Sequence, residues 1–483
     1  MFFSQKEKAK KINFYVIKYL KSRKFSKWSL SLGYLNFFSP LVFREYDYEK
    51  IFENNTSNFR RKTKKNFNIL GKSKNFLYKK KKFIKFNVKK IYFSYIINEN
   101  VNEIKKKDFY FTQDNKKFDS TDYIFVYLNL SNTKTNLLQK KYSNFKNIII
   151  LDDNIYFFLE IFNLFKIILH EGFYSIFLYF FTKDKFFKNF LIHIFSFNSL
   201  RASLYNLRIS FQIINILKFY RPNQFYYLYE GKLLESLLIE EIKKLNFSIQ
   251  CFGYQHSTIT NSHYGLLRQK YIPFQPKKVL TVGKLNKQIL KKFNIVATIV
   301  GSNKYIENKM SFKNLLDFKK NNHKLTCLIL PQASEEEIVK FIDLANYLLQ
   351  KIKDIKIIWR HHPSFDLTEN KYFNDLTKYK NFFISQKSLK NESKISNVCI
   401  YRGSAAVIQA CSYGVIPIYY NIRNDFKLDS IELCRINHKS LNKVEILEYL
   451  MRLFILVKKK KYINEIKLWC NFHKNFYAKY KLI

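Results

Sequence analysis

The sequence lacks the cysteine patterns that mark disulfide frameworks and zinc sites. Its six cysteines are scattered, and none forms a C-x-x-C pair. The two nearest, Cys399 and Cys411, fall in a predicted strand and in the helix that follows it. Isolated thiols of this kind are typical of a reducing cytoplasm. We therefore expect a cytoplasmic protein with no metal site and no cofactor.

Acidic residues are few, and the resulting positive charge limits the classes of binding partner to expect. The chain has 85 Lys and Arg against 37 Asp and Glu, a formal charge of +48. A balance this basic suits nucleic acid or an anionic membrane surface. No zinc-ligand spacing, RNP-like stretch or helix-turn-helix signal accompanies the charge, so nucleic acid is not an expected partner. We expect salt-sensitive contact with an anionic bilayer, and a lysine-biased surface without any such partner is the alternative.

Long apolar runs and a signal peptide are also missing. A membrane-spanning helix needs about 20 apolar residues, and the longest uncharged piece of the apolar region 155–200 covers 172–182. The N-terminal residues MFFSQKEKAKK contain no apolar signal-peptide core. The sequence thus predicts no transmembrane helix. The aromatic helices expected in 155–200 form either a core helix pair or a surface that lies on the inner face of the cytoplasmic membrane.

Two nucleotide-binding fingerprints are absent as well. Neither G-x-G-x-x-G nor G-x-x-x-x-G-K-[ST] occurs. Nicotinamide dinucleotides and P-loop chemistry are therefore disfavoured.

The sequence does have an alternation of strands and helices that begins near residue 91. Some of its apolar runs, such as LTCLIL at 325–330, are continuous, as in parallel strands covered on both faces. This spacing predicts doubly wound parallel sheets. We expect an α/β protein of two Rossmann-like domains facing a cleft, with C-terminal helices. The predicted bounds are a basic N-terminal region at 1–90, Rossmann-like domains at 91–283 and 284–460, and a final helix at 461–483.

Polar clusters follow the predicted strands, where ligands bind in open parallel sheets. In the second domain, Gly403 and Ser404 stand between a strand and a helix of small residues. Helix N-termini attract anions, so this arrangement suits a phosphate. Arg360 and His362 follow another strand, and Pro363 restricts the backbone there. Arg neutralises a departing phosphate while His donates a proton or hydrogen bond; a plain Ser N-cap and a surface histidine pair are the alternatives.

Two acids in the first domain are candidate catalytic groups. Glu230 ends a strand, and burial there would raise the pKa of its carboxyl toward neutrality, as a general base requires. Glu235 follows about one helical turn later. The alternative is an acid in the first turn that matches the helix dipole.

The next strand of the first domain ends in a polar loop with two histidines. His256 lies directly after the strand, between Gln255 and Ser257, and would line the same cleft as Glu230. His263 lies farther along the loop. We expect His263 to be a solvent-facing loop residue.

The order of these clusters resembles that in sugar-transferring proteins. The second half resembles the nucleotide-binding domain of GT-B glycosyltransferases, with a small-residue helix before Tyr-Gly-Val-Ile-Pro at 413–417. The stretch 230–257 resembles a family of surface carbohydrate (O-antigen) biosynthesis proteins. His-Pro at 362–363 and Gly-Ser at 403–404 are similar to motifs of bacterial sialyltransferases and polysialyltransferases, which use CMP-sugars. The resemblance covers roughly 220–425.

This resemblance implies that the first domain binds a glycan or lipid-linked glycan acceptor and the second a nucleotide-sugar donor. The implied catalytic residues are Glu230, His256 and His362. The implied donor-binding residues are Arg360, Pro363, Arg402, Gly403, Ser404 and Gln409, and the implied acceptor-binding residues are Glu235, Gln255 and Ser257.

Two departures from these families bear on the donor and the base. Tyr229 replaces the first acid of the acidic-acidic-Gly motif. Where many retaining GT-B enzymes have Glu-Ala, this chain has Gln409 and Ala410. The second departure favours a CMP- or CDP-linked donor over UDP or GDP.

Three functions are open on the sequence. The first is a metal-independent glycosyltransferase of bacterial surface polysaccharide biosynthesis, making O-antigen or capsule, with a CDP-polyol phosphotransferase of teichoic-acid type as its nearest alternative. The second is a non-catalytic assembly factor of the GT-B fold. The third is a nucleic-acid-binding protein driven by the charge of +48.

Overall fold

The structure is a computed structural model, and it describes residues 5–22, 27–31, 87–97, 102, 104, 108–111, 122–153, 157–195, 197–245, 248–261, 263–306, 315, 325–332, 335–362, 373, 375–422, 427–434, 436–456 and 460–480. The chain divides into two compact units. The first comprises Met1–His256, Ser262–Leu280 and Lys291–Thr298, and the second comprises Ser257–Asn261, Thr281–Leu290 and Ile299–Ile483. The boundary predicted at 283/284 falls inside the region where the chain passes back and forth between the units.

Seven strands of the described residues form the sheet of the first unit, in the order β3-β2-β1-β4-β5-β6-β7. The pairings of β1 with β2 and β4, of β2 with β3, and of β4 with β5 are parallel. This is the Rossmann strand order with one strand added. The strands are β1 Lys90–Ile96, β2 Tyr123–Asn129, β3 Ile148–Ile150, β4 Gln224–Leu228, β5 Gln250–Gln255, β6 Lys278–Thr281 and β7 Ala297–Ile299.

An aromatic ladder runs across four of these strands. Phe125, Tyr92, Tyr226 and Phe252 lie opposite one another in register on β2, β1, β4 and β5. Successive rings are stacked with centroids 5.0, 4.9 and 4.9 Å apart. Cross-strand aromatic pairs each stabilise a sheet by about 0.2–1 kcal/mol. The ladder therefore fixes the register of the strands whose carboxyl ends carry Glu230 and His256.

The sheet of the second unit has six strands among the described residues, in the order β10-β9-β8-β11-β12-β13. All five neighbouring pairs are parallel, which is again the Rossmann order. The prediction of two Rossmann-like α/β domains followed by helices is confirmed. The strands are β8 Thr326–Leu330, β9 Lys356–Trp359, β10 Phe382–Ile384, β11 Val398–Tyr401, β12 Ile416–Tyr420 and β13 Lys439–Leu441.

Helices flank both sheets. A π turn at Ile168–Gly172 joins α4 to α5, and short 3-10 turns lie at Gln269–Tyr271 and Glu432–Cys434. The α-helices of the described residues are α1 Gln5–Lys21, α2 Lys27–Leu30, α3 Thr135–Lys141, α4 Phe157–Ile167, α5 Phe173–Phe181, α6 Lys185–Ile194, α7 Phe197–Tyr220, α8 Leu233–Lys243, α9 Tyr264–Arg268, α10 Lys284–Lys292, α11 Glu335–Lys351, α12 Leu389–Ile395, α13 Ala406–Cys411, α14 Lys443–Leu456 and α15 Lys460–Phe476.

The N-terminal region contains a helix that the sequence did not reveal. We assigned 1–90 only as a basic region without predicted elements, but α1 is helical and buries a stripe comprising Ile12, Tyr15, Val16, Tyr19 and Leu20. These positions have the i, i+3, i+4, i+7, i+8 spacing of an amphipathic helix, although the apolar residues Phe14 and Ile17 lie off the stripe and blur the pattern. Residues 32–86 lie outside the described residues.

The run from α4 to α5 is continuous enough to meet the length of a membrane span. Phe157–Phe181 forms one helical stretch of 25 residues, long and apolar enough to cross a bilayer by length and composition. We predicted no such helix, because charged residues interrupt the run in sequence. In the structure, 22% of its most apolar window is buried.

Candidate functional site

Glu230 and His256 lie together at the carboxyl edge of the first sheet. Glu230 follows β4, and His256 follows β5, the strand paired directly with β4. His256 Nε2 is 3.8 Å from Glu230 Oε1. Lys232 forms an ion pair with the other carboxylate oxygen, Glu230 Oε2. The side chains of Glu230 and His256 are 25% and 10% exposed, so the pair is largely enclosed yet reachable.

The charge state of Glu230 differs from the sequence prediction. Burial opposes its ionisation, but Lys232 and His256 outweigh burial and lower the pKa of Glu230 to about 2. The same pairing raises the pKa of Lys232. The predicted rise of the Glu230 pKa toward neutrality is therefore wrong, since the effect of the neighbouring ammonium group was left out. A carboxylate this acidic is a weak proton acceptor.

Glu235 holds the loop that carries Glu230. Its two carboxylate oxygens accept the backbone N–H groups of Glu230 and Gly231 at 2.9 and 3.0 Å. The residue is 5% exposed, and burial raises the pKa of its carboxyl to about 8 despite those donors. The predicted acceptor-binding role does not suit a side chain whose oxygens are both engaged with the loop. Glu235 acts instead as a positioning residue.

Two glycines let this loop pack closely on the start of α9. Gly231 has a φ of +76°, and a Cβ there would lie 2.5 Å from the carbonyl carbon of Gly265. A Cβ on Gly265 would lie 2.9 Å from the carbonyl oxygen of Gly231. The two backbones thus touch where side chains have no room.

His263, just before α9, belongs to this neighbourhood. It is half-buried, and burial lowers the pKa of its imidazole, while Glu230 acts in the opposite direction. The prediction of a solvent-facing loop histidine is therefore wrong. The loop after β5 belongs to the second unit over Ser257–Asn261 and to the first again from Ser262, which its sequence did not indicate.

An aromatic residue from a distant part of the chain completes the cluster. The Tyr110 ring stands edge-on to His256 with centroids 4.6 Å apart. Asp108 holds this turn in place, because its carboxylate accepts the N–H groups of Tyr110 and Phe111 at 2.8 and 2.6 Å and the Ser94 hydroxyl at 2.6 Å. Burial raises the pKa of Asp108. Sequence analysis missed Tyr110 and Asp108, since nothing in their spacing relates them to β5.

The other predicted acceptor residues are less available. Gln255 is 1% exposed, so its side chain does not line an open surface. Ser257 is half-buried, belongs to the second unit, and accepts a hydrogen bond from Asn286 at its carbonyl oxygen, 3.2 Å. Neither position supports the predicted acceptor role.

In the second unit, Arg360 follows β9 and is tied to its own domain. Its Nη1 donates to Ser385 Oγ at 3.2 Å, the Lys387 carbonyl at 2.7 Å and Glu392 Oε2 at 3.2 Å. The side chain remains 30% exposed. The predicted phosphate partner is thus held rigidly, with part of its charge balanced by Glu392.

The adjacent histidines both have lowered pKa values. Burial, and then Arg360, lower the pKa of His361 below its ordinary 6.5. Burial, and then His361, lower the pKa of His362. A lowered pKa favours the neutral imidazole, so of the two predicted roles for His362 it favours hydrogen-bond donation over proton donation. Pro363 lies outside the described residues.

The predicted phosphate cradle after β11 is filled by protein groups. Arg402 is fully buried, with its Nη2 3.5 Å from the Tyr419 hydroxyl. A Cβ on Gly403 would lie 2.2 Å from the amide carbon of Gln332, so this glycine makes room for Gln332 and not for an anion. The six-residue helix α13 begins at Ala406, and its N-cap Ala405 supplies no side-chain bond. Ser404 is therefore not the N-cap of this helix, so the alternative of a plain Ser N-cap is also wrong.

A buried polar network supports this edge of the second sheet. The Asp429 carboxylate accepts the Tyr401 hydroxyl at 2.7 Å and lies 2.5 Å from His438 Nε2. Burial opposes protonation of His438, but Asp429 outweighs it and raises the pKa of the imidazole. Gln409 on α13, which we predicted to bind the nucleotide-sugar donor, places its Nε2 3.5 Å from the Lys304 carbonyl oxygen. Sequence analysis missed Asp429 and His438.

The comparisons with known proteins found similar solved structures, all at low sequence identity. No family model matches the sequence, and no curated protein matches it. A protein described as a UDP-N-acetylglucosamine 2-epimerase from Listeria monocytogenes aligns over 82% of this chain and 93% of its own, with 9% identity and a TM-score of 0.47. A glycosyltransferase from Rickettsia africae aligns over 81% and 95%, with 13% identity and a TM-score of 0.43. MurG from Acinetobacter baumannii aligns over 79% and 94%, with 10% identity and a TM-score of 0.41.

Proposed function

We propose that this protein is a metal-independent glycosyltransferase that moves a sugar from a nucleotide-activated donor to a glycan or lipid-linked glycan acceptor. The observation that carries the proposal is the 3.8 Å separation of His256 Nε2 and Glu230 Oε1 at the carboxyl edge of a Rossmann sheet. A hydroxyl oxygen can lie about 2.8 Å from both atoms at once. An acceptor hydroxyl bound there would meet a base and a carboxylate together.

The roles within this pair follow from their charges. His256 takes the proton from the acceptor hydroxyl, because Glu230, with a pKa of about 2, is the weaker base. Glu230 remains ionised and stabilises the imidazolium that forms. Lys232 and Glu235 hold the carboxylate and its loop in place. The Tyr110 ring packs on His256 and limits its rotation.

The second unit supplies the donor site in this proposal. Arg360 is the candidate cation for the departing nucleotide phosphate, because it is rigidly held and part-exposed. His362 would add a hydrogen bond from its neutral ring. Gln409 favours a CMP- or CDP-linked donor by the resemblance already described. We further propose that the product is a bacterial surface polysaccharide, such as O-antigen or capsule.

One set of contacts favours a second candidate, a non-catalytic assembly factor of the same architecture. Gln332 occupies the space above Gly403, and Arg402 is buried. Two motifs that would bind a donor phosphate are thus used for packing. A CDP-polyol phosphotransferase would use Arg360 and His362 in the same way as a CMP-sugar transferase, so the donor itself must distinguish these two.

The test is release of nucleotide by the purified protein from CMP-, UDP- and GDP-sugars and from CDP-glycerol, with and without a chelator. We expect release from a CMP-sugar that the chelator does not reduce and that His256→Ala abolishes. A thermal-shift series with CMP, CDP, UDP and GDP runs beside it, since a ligand at about 100 Kd adds roughly 2.7 kcal/mol of stability. Stabilisation without turnover would favour the assembly factor. Stabilisation by UDP alone would overturn the donor assignment.

A further inference from the structure

The helical run from α4 through the π turn to α5 buries several polar side chains and exposes many apolar ones, the reverse of what is expected for a protein surrounded by water. Its buried positions include Asn163, Glu171 and Ser175, which recur at four- or eight-residue spacing and therefore lie along one stripe. Its outer face carries eight phenylalanines and three isoleucines, each at least 45% exposed. Phe158, Phe180 and Phe181 are 77%, 73% and 74% exposed. A helix of a water-soluble protein has the opposite arrangement.

The size of this outer face exceeds that of ordinary surface patches. With roughly 200 Å² available on each aromatic side chain, exposure of about half across these residues gives on the order of 1,000 Å² of apolar surface. The largest apolar patch on a monomer is usually about 300–600 Å². A patch of this size marks an interaction surface.

The inner stripe shows that the run lies along the protein and does not leave it. Tyr19 of α1 donates its hydroxyl to Glu171 at 2.7 Å. Near the start of the run, Arg208 of α7 pairs with Glu160 at 2.7 Å. Near its end, the Tyr174 hydroxyl donates to the Ser22 carbonyl at 2.6 Å. A helix that crossed a bilayer would break these contacts along its length, so the run is placed to lie flat on a surface.

The placement of the charged side chains indicates which kind of surface this apolar face would contact. The three acids of 157–195 are turned to protein partners: Glu160 to Arg208, Glu171 to Tyr19, and Asp184 to the Tyr15 hydroxyl at 3.1 Å. Of the lysines of the same segment, Lys183 and Lys185 follow the end of α5 and are exposed. Lys188 Nζ lies 5.0 Å from the Tyr179 ring, with Lys166 Nζ 5.6 Å from the Phe162 ring. An apolar face bordered by ammonium groups matches acyl chains below anionic headgroups.

We propose that the face formed by α4, the π turn and α5 is a docking surface for an anionic lipid bilayer, which the protein contacts without spanning. The aromatic side chains enter the boundary between headgroups and acyl chains, while the lysines pair with lipid phosphates. The helix α1 supports this surface. Lys11 Nζ lies 3.9 Å from the Phe186 ring, and the Tyr19 hydroxyl is hydrogen-bonded to Glu171 of the π turn on its buried side. The proposal goes beyond the transferase function and does not depend on it.

The experiment is vesicle flotation with the full chain, using phosphatidylcholine vesicles with and without about 30% phosphatidylglycerol. We expect binding that requires the anionic lipid and that falls at least about tenfold in the variant F158S/F180S/F181S. Because these side chains are exposed, the variant should keep the wild-type circular dichroism spectrum. The matched control is V296S/V444S, which removes apolar side chains that are 86% and 54% exposed elsewhere on the protein and should bind as the wild type does.

The lysines and the competing occupants are tested in the same format. K183Q/K185Q should bind more weakly and lose part of the salt sensitivity, whereas K287Q/K291Q, on exposed positions of α10, should not. Equal flotation of the wild type and the Phe variant would overturn the proposal. So would a dimer in light scattering that the Phe variant abolishes while vesicles bind nothing, since the face would then join two copies. Bound protein that resists carbonate and high salt and yields only to detergent would show a spanning helix instead.

Discussion

Replacing Glu235 with Gln should remove a pH dependence from the stability of the protein. The folded-state pKa of Glu235 is about 8, against an ordinary value of 4.5. The folded protein therefore holds a proton that the unfolded chain releases between these values. Stability from this group is fully present below about pH 4.5 and is lost as the pH rises through about 8.

The size of the effect follows from that window. Each pH unit contributes at most about 1.36 kcal/mol, so the loss by pH 8 is on the order of 4–5 kcal/mol. Glu230, with its pKa lowered to about 2, titrates below this window and does not mask it. The Gln amide keeps one acceptor for the two loop N–H groups and turns its NH2 toward the other, which costs about 1–3 kcal/mol at every pH. The variant should thus be less stable than wild type near pH 5 and equal or more stable near pH 8.

The assay is urea unfolding of both proteins across about pH 5–8. Glu241→Gln on the same helix is the control, because the Glu241 carboxylate pairs with Lys244 at 2.9 Å on the surface and its loss should leave the wild-type slope intact. Parallel stability curves for wild type and Glu235→Gln would refute the burial argument for Glu235 and, with it, the positioning role.

Three further outcomes are expected. His256→Ala should reduce transfer by about 10²–10⁴-fold, and Glu230→Gln should also reduce it while nucleotide affinity measured by calorimetry stays unchanged; a parallel loss of affinity would contradict the acceptor-side role. Gly231→Ala should destabilise by about 2–4 kcal/mol, since its φ is +76° and its Cβ would meet backbone at 2.5 Å, whereas Gly172→Ala, whose nearest neighbour is at 3.7 Å, should be nearly neutral in thermal melts. Because burial lowers the pKa of His362, this residue gains charge only as the pH falls below about 6.5, and CMP affinity should rise in the same range. His362→Gln should abolish this rise. A variant with the same pH profile as the wild type would place His362 away from the phosphate.

The sheets were predictable because their strands are continuous apolar runs. Such runs identify buried parallel strands without knowledge of contacts, and the apolar run at 325–330 contains the strand Thr326–Leu330 in the structure. The short edge strands β7 and β13 were missed, since their sequences ATI and KSL contain polar residues and form no continuous apolar run. The helix α1 was missed although its apolar positions have helical spacing, because the apolar residues Phe14 and Ile17 lie off the buried stripe.

The positions of the site residues at strand ends were predictable from the sequence. Their charge states were not predicted. Glu230 and His256 meet because parallel neighbouring strands end at one edge. The low pKa of Glu230 depends on Lys232, two residues later, and that signal was present in the sequence. The contact of Tyr110 with His256 and the filling of Gly403 by Gln332 join distant residues, and no spacing rule indicates them.

Segments of the chain alternate between the two units, and this determines the order in which the units can be completed during synthesis. A nascent chain that has reached residue 256 holds five strands of the first sheet, but β6 and β7 follow only at Lys278–Thr281 and Ala297–Ile299. Between them, Thr281–Leu290 already belongs to the second unit. Domains usually fold as units, N-terminal first, during translation. Here the first unit completes its sheet edge only after the first segments of the second have emerged, so neither unit can be cut out as one uninterrupted piece of polypeptide.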